Sequence, residues 1–268
     1  MKRLLSLASC AAVAICSFAF STDTIKVNTN YLATPEDVTI ITPDHKPGQS
    51  FPSVYLLNGY SGDHKAWGFI QPRLGELADS YGFVIVMPDG RDTWYWDSPV
   101  DPAFQMESFF IKDLVPYIDA NYPTVKNRDK RAISGLSMGG HGALWLALNH
   151  PDVFGSAASM SGGVDIRPFP KNWDMAKRIG SKDKNPARWD EYTVATKIDK
   201  LKNANLNLLI DCGSDDFFYE VNLKLHNDLL EAGVPHDYIC RPGGHTFEYW
   251  NNSVLYHLLF FNEAFSKK

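Results

Sequence analysis

Cysteine is scarce, basic charge is not in excess, and nothing repeats. Only four of the 268 residues are Cys, and two of these, Cys10 and Cys16, fall in an apolar N-terminal stretch. The remaining Cys212 and Cys240 are no disulfide framework. They pair if they fall on neighbouring strands in an oxidising compartment, or stay as buried free thiols. Lys+Arg of 26 against Asp+Glu of 31 leaves a formal net charge of −5. No basic field gathers phosphates, which argues against nucleic acid as a partner. Gly at 19 and Pro at 16, with no fixed period, exclude collagen, low-complexity and solenoid chains. Carboxylates and histidines show no zinc-type spacing, and no metal is expected.

What is present begins with Lys2 and Arg3 followed by an uncharged apolar run from Leu4 to Phe20. That run is short for a membrane span and has the layout of a secretory signal peptide. The expectation is a leader over residues 1–21 and one domain over residues 22–268, periplasmic or secreted, with no stable membrane insertion once the leader is removed. An uncleaved anchor is the competing reading. Leu7-Ala8-Ser9-Cys10 has the residue types of a lipoprotein box, but Cys10 lies mid-run rather than at its end.

Beyond the leader, short β-branched apolar runs alternate with stretches of helical spacing. Strands are expected at 38–41, 53–57, 83–87, 131–134, 156–160, 206–211 and 237–240. Helices are expected at 72–81, 108–120, 138–149, 217–232 and 249–265. Such alternation predicts an α/β fold with a mostly parallel, doubly wound sheet and helices on both faces. Binding and chemistry in such sheets gather at the carboxyl ends of the strands.

The first residues to consider there are Gly135-Leu136-Ser137-Met138-Gly139. The pentapeptide joins a strand-like run to a helix-like one, so its small residues suit a sharp turn that exposes the Ser137 hydroxyl at a helix N-terminus. A serine hydroxyl needs a base, and the base needs an orienting acid. His245, in the turn-like RPGGHTF after the last strand, is the best base of the eight histidines. His226 and His257 fall in helical runs, His45 and His64 precede the serine, and His141 is a candidate for the pocket wall. LLIDCGSDDFF offers Asp211, Asp215 and Asp216. Asp211 ends its strand; of the two loop acids Asp216 is favoured over Asp215 as the orienting acid, the other serving as a helix N-cap. An oxyanion hole needs two backbone N–H groups, assigned to Met138 by the turn itself and to Tyr60 in the Gly-rich loop Asn58-Gly59-Tyr60-Ser61-Gly62.

Over nearly all of residues 22–268, the segments YLLNGYSGDHKAW, VMPDGRDTWYWDSP, AISGLSMGGHGALWLALNHPDVFGSAASMSG, DCGSDDFFYEVN and GGHTFEYW resemble the esterase-D-like branch of α/β hydrolases. That branch holds S-formylglutathione hydrolases, tributyrin-type and feruloyl esterases, and mycolyltransferases. The resemblance implies an α/β-hydrolase sheet, a Ser137–Asp216–His245 triad, oxyanion donors at Tyr60 and Met138, and no cofactor. One departure is Asn58, where many relatives have His before the Gly.

Two further segments bear on substrate. Trp94, Tyr95 and Trp96 follow a strand end and are expected either as an aromatic substrate wall or as packing under the loops. Residues 162–196, with Phe169, Trp173, Trp189 and Tyr192, sit where such folds insert a small cap. The expected partner is a small-molecule or oligosaccharide ester, carrying short-chain, acetyl or feruloyl groups. Alternatives are an acyltransferase of mycolyltransferase type, an S-formylglutathione hydrolase-like thioesterase, and a non-catalytic carbohydrate-binding relative. Oligomeric state is not set by the sequence.

Overall fold

The structure is a computed structural model that describes residues 19–267. Apart from its last three residues, the expected leader lies outside the described residues. Eight strands form one sheet: β1 Ser21–Val27, β2 Glu36–Thr42, β3 Ser53–Leu57, β4 Val84–Pro88, β5 Arg131–Leu136, β6 Ser156–Met160, β7 Asn207–Gly213 and β8 Asp237–Arg241. Their order is β1-β2-β4-β3-β5-β6-β7-β8. The β1–β2 and β2–β4 pairs are antiparallel, and every pair from β4 to β8 is parallel.

The apolar runs dictate this arrangement. Every residue of β3, β4 and β5 is buried, as helices on both faces require of central parallel strands. Alternation with period 2 then divides their side chains between two cores. Val54, Leu56 and Ile85 pack with Leu74, Val254, Leu258 and Phe261 on one face. Tyr55, Leu57, Val84 and Val86 pack with Phe110, Leu114, Leu144 and Leu148 on the other. Each such side chain contributes about 1.5–3 kcal/mol of burial before ordering costs. The helix Met138–Asn149 has only Asn149 outside the buried class. That explains why it is apolar all round instead of striped.

Several elements differ from the sequence expectations. β1 is an added antiparallel edge strand. Its residues are mostly exposed, and STDTIKV gives no apolar run to announce it. Residues 108–120 belong to a longer helical stretch, Met106–Asn121, interrupted by a π-helical turn at Phe110–Leu114. Four short helices, Ala66–Ile70, Met175–Ile179, Pro186–Glu191 and Ile198–Asn203, span less than two turns each, too little for periodicity to show. The segment 162–196 contains two of them. Its Ile166, Met175, Ile179, Trp189 and Val194 are buried in the same core as the sheet. Cys212 and Cys240 occupy paired register positions on β7 and β8, yet both are free thiols, the first buried and the second exposed. No helix among the described residues is long and apolar enough to cross a membrane.

Candidate active site

Backbone strain concentrates at one end of the sheet. Among the described residues, nine non-glycine residues have positive φ: Ser61, Arg91, Trp94, Tyr95, Ser137, Ser161, Trp173, Asp174 and Asn205. All but Asn205 lie in the connections that leave the carboxyl ends of β3, β4, β5 and β6. Such conformations cost on the order of 1–3 kcal/mol each and persist where surroundings over-determine them.

One of these is Ser137, at φ 58° and ψ −116° between β5 and the helix Met138–Asn149. Its N–H donates to the Met160 carbonyl at 2.9 Å, and its own carbonyl accepts from Gly163 at 3.2 Å. The flanking glycines are needed for space. A Cβ on Gly135 would stand 2.4 Å from the Gly139 oxygen, and one on Gly139 would stand 2.5 Å from the Leu57 oxygen. The turn can therefore form only with the GxSxG pattern seen in the sequence.

His245 follows β8 in a short loop, immediately before the helix Phe247–Ser266, which Thr246 caps by accepting from the Tyr249 N–H at 3.3 Å. The Nε2 of His245 lies 2.9 Å from Ser137 Oγ. On the other side of the ring, Nδ1 lies 2.9 and 3.1 Å from the two carboxylate oxygens of Asp216. With Nδ1–H donating to the carboxylate, Nε2 is left to accept the serine proton, the tautomer a base requires.

Asp216 is buried and also accepts the Phe218 N–H at 2.8 Å, so the residue facing His245 is itself the one that caps the following turn. Asp215 is exposed and contacts the other loop: its N–H donates to the Gly243 carbonyl at 2.9 Å, and its carboxylate accepts from Gly243 N–H at 3.3 Å. The two acids have thus divided the work otherwise than expected, with Asp215 joining the acid loop to the histidine loop instead of capping a helix.

Met138 is the first residue of its helix, and neither its N–H nor that of Tyr60 has a protein acceptor among the described residues. The Tyr60 loop is held from beneath by Asn58. That side chain accepts from the Gly90 N–H at 2.8 Å and from the Tyr95 hydroxyl at 3.0 Å, and donates to the Gly59 carbonyl at 3.0 Å. The departure from His at this position therefore supplies an amide whose oxygen accepts twice and whose nitrogen donates once, bracing the loop.

An open cleft of about 390 Å³ lies over Ser137 and His245. Its walls include Tyr60, Ile70, Trp173, Phe217, Phe247 and Trp250, and among the described residues no Lys, Arg, Asp or Glu lines it. The aromatic wall expected from Trp94, Tyr95 and Trp96 is not part of it. All three are buried, as is His141, and none of the four lines the cleft. Their polar ends are consumed internally: Trp94 Nε1 donates to the Trp173 carbonyl at 3.1 Å, the Tyr95 hydroxyl donates to Asn58, and Trp96 Nε1 donates to His141 Nε2 at 2.8 Å. Burial pushes the His141 pKa down to about 4, against the opposing effect of its bond to the Gly163 carbonyl. It is a neutral strut, not a substrate contact. Of the aromatics named in residues 162–196, only Trp173 lines the cleft. Phe217, Phe247 and Trp250 were missed, although each stands within five residues of Asp216 or His245, and such adjacency was the available signal.

Comparison with known proteins gives the family. Residues 29–261 match the family model described as "Putative esterase". The chain belongs to this esterase family. It is 28% identical to an acetyl esterase of Caldicellulosiruptor saccharolyticus over 90% of this chain and 96% of that one. Among solved structures, a ferulic acid esterase superposes with a TM-score of 0.78 at 25% identity, covering 92% of this chain and 99% of its own. An S-formylglutathione hydrolase from Staphylococcus aureus gives 0.79 at 21% identity, over 91% and 99%. This last likeness, at its low identity, concerns the α/β-hydrolase fold. The esterase is accordingly a serine hydrolase acting on carboxylic esters.

Proposed function

We propose that this esterase hydrolyses neutral short-chain or aromatic acyl esters outside the cytoplasm, through an acyl-enzyme on Ser137. The observation that carries the reading is the unbroken hydrogen-bonded sequence Asp216–His245–Ser137 ending in an open cleft. His245 takes the serine proton as Oγ attacks the ester carbonyl, and Asp216 stabilises the imidazolium. Charge developing on the carbonyl oxygen is met by the N–H groups of Tyr60 and Met138, each such donor contributing on the order of 10²–10³ in kcat. His245 then returns its proton to the leaving alcohol and activates water to release the acid.

The cleft supports a neutral substrate. Among the described residues its lining has no cation to pair with a carboxylate, which disfavours glutathione thioesters with their free carboxylates. An acetyl or hydroxycinnamoyl ester of a carbohydrate suits both the aromatic walls and the relatives. The extracytoplasmic location rests on the leader-like residues 1–21, whose removal spares all of β1 but Ser21. Sequencing the N-terminus of the processed protein tests it.

Catalysis is tested by fluorophosphonate labelling and a panel of acetate, cinnamate and acetylated xylo-oligosaccharide esters. Labelling must map to Ser137 and vanish in Ser137→Ala. Retained turnover in that variant overturns the reading. Adding a carbohydrate acceptor to the same assay separates hydrolysis from acyl transfer.

A further inference from the structure

The cap segment meets the Tyr60 loop through one side-chain bond. Asp174 Oδ2 accepts a hydrogen bond from the Tyr60 hydroxyl at 3.1 Å, and Lys177, one turn further on, donates to the same oxygen at 2.9 Å. Asp174 and the residue before it, Trp173, are both left-handed, at φ 53° and 48°. Two successive non-glycine residues in that region, one of them bulky, hold only where tertiary contacts fix them. Those contacts include the Tyr60–Asp174 bond, the Trp94 indole N–H donating to the Trp173 carbonyl, and the packing of the Trp173 ring on Phe169 and Phe218, at 5.5 and 5.2 Å between centroids.

What this strained pair presents is a ring. Trp173 lies nearly parallel to Phe217, with centroids 5.7 Å apart and 19° between planes, and Phe217 lies 4.2 Å from the His245 ring. Phe217 is 53% exposed, and both it and Trp173 line the cleft. The contacts run from Tyr60 through Asp174 and Trp173 to Phe217 and His245, linking the loop of an oxyanion donor to the base by way of the cap.

We propose that Trp173 determines specificity for esters carrying a flat apolar group, and that Asp174 is a positioning residue whose bond to the Tyr60 hydroxyl sets where that ring stands. The inference rests on the assignment of Ser137 as nucleophile. Tyr60 enters the chemistry through its backbone N–H, so its hydroxyl is free for this second task. Aromatic faces favour offset stacking with a planar group, and the Trp173–Phe217 wall supplies such a face beside the attacked carbonyl.

The test compares kcat and KM for ethyl acetate, benzyl acetate and methyl cinnamate, using the whole protein and its Trp173→Ala, Tyr60→Phe, Asp174→Ala and Tyr60→Phe/Asp174→Ala variants. Trp173→Ala is expected to lower the kcat/KM ratio of one aromatic ester to ethyl acetate by about tenfold, chiefly through KM. Whether benzyl acetate or methyl cinnamate moves identifies the alcohol or the acyl side. Tyr60→Phe and Asp174→Ala are expected to shift the same ratio the same way by roughly threefold. The double variant should shift it no further than either single, because both remove one bond. Equal losses on all three esters, or a double variant equal to the product of the singles, would overturn the proposal. Failure of the Ser137 assignment would appear separately, as unlabelled Ser137 in the parent protein.

Discussion

Two Ser–His–Asp sets among the described residues come from the same stretches of chain, and the one at Ser137 opens to the cleft. Ser137 ends the turn after β5 and Ser134 lies within β5; Asp216 lies on the loop after β7 and Asp211 lies within β7. His245 precedes the last helix and His257 is inside it. In the buried set His257 Nδ1 lies 2.8 Å from Ser134 Oγ, and Nε2 lies 3.5 Å from Asp211. The ring is thus reversed, with Nδ1 toward the serine. Ser134, His257 and Asp211 are all buried, and Asp211 also accepts from the Tyr249 hydroxyl at 2.5 Å and from Arg241 at 3.3 Å. Residue types alone do not make a nucleophile. The strained turn, the access and the free N–H groups do, and Ser134, in regular extended backbone inside the sheet, has none of them.

The largest expected effects break the set at Ser137. Ser137→Ala should abolish ester turnover to the detection limit, whereas Ser134→Ala should leave kcat within about threefold of the parent and lower stability by roughly 1–3 kcal/mol, having stranded a buried ring nitrogen. Paired rate and melting measurements separate the two. Next, Asp216→Asn should lower kcat by about 10⁴ by spoiling the tautomer of His245, with little change in melting temperature.

Asp211→Asn should act the other way, through stability. Burial alone would raise the Asp211 carboxyl, but His257 and the Tyr249 hydroxyl outweigh it and hold the carboxyl below the usual carboxylate range. A lowered folded-state pKa contributes stability above the unfolded value of about 3.9 and loses it as pH falls through the folded value. Removing one partner of a buried ion pair costs about 3–5 kcal/mol, and Arg241 is partly solvated, which places the loss near 3 kcal/mol, or roughly 6–12 °C at this size. Thermal melts at pH 7 and pH 3 check both parts: the gap between parent and Asp211→Asn should shrink at the lower pH. An undiminished gap at pH 3 would mean that packing, not the ionised carboxylate, supplies it.

This contrast explains how far the sequence could be read. Ser137 and His245 were legible because glycines stand on both sides of the first and directly before the second, and a glycine in such a loop answers a steric demand that the structure exhibits at Gly135 and Gly139. The central strands were legible because burial on both faces forces continuous apolar runs. Trp94, Tyr95 and Trp96 were ambiguous because an aromatic ring with a polar end serves a wet wall or a dry strut equally well. The decision between them lay with distant partners, Asn58, His141 and the Trp173 carbonyl. β1 was hidden for the opposite reason, since an exposed edge strand has no apolar pattern to show.

The smallest effect falls on the pair that sequence could rank but not separate on chemistry. Asp215 and Asp216 are adjacent, equally acidic and on one loop, so composition and spacing treat them alike. The backbone turns Asp216 inward to His245 and leaves Asp215 in solvent with one 3.3 Å bond from Gly243 N–H. An exposed hydrogen bond of that length contributes about 0.5–1.5 kcal/mol at most, and the stronger link between the loops, Asp215 N–H to the Gly243 carbonyl, belongs to the backbone and survives substitution. Asp215→Asn should therefore change kcat by no more than a few-fold, with KM unaltered. A loss approaching that of Asp216→Asn would mean that the acid loop turns over in solution and that Asp215 is the residue His245 uses.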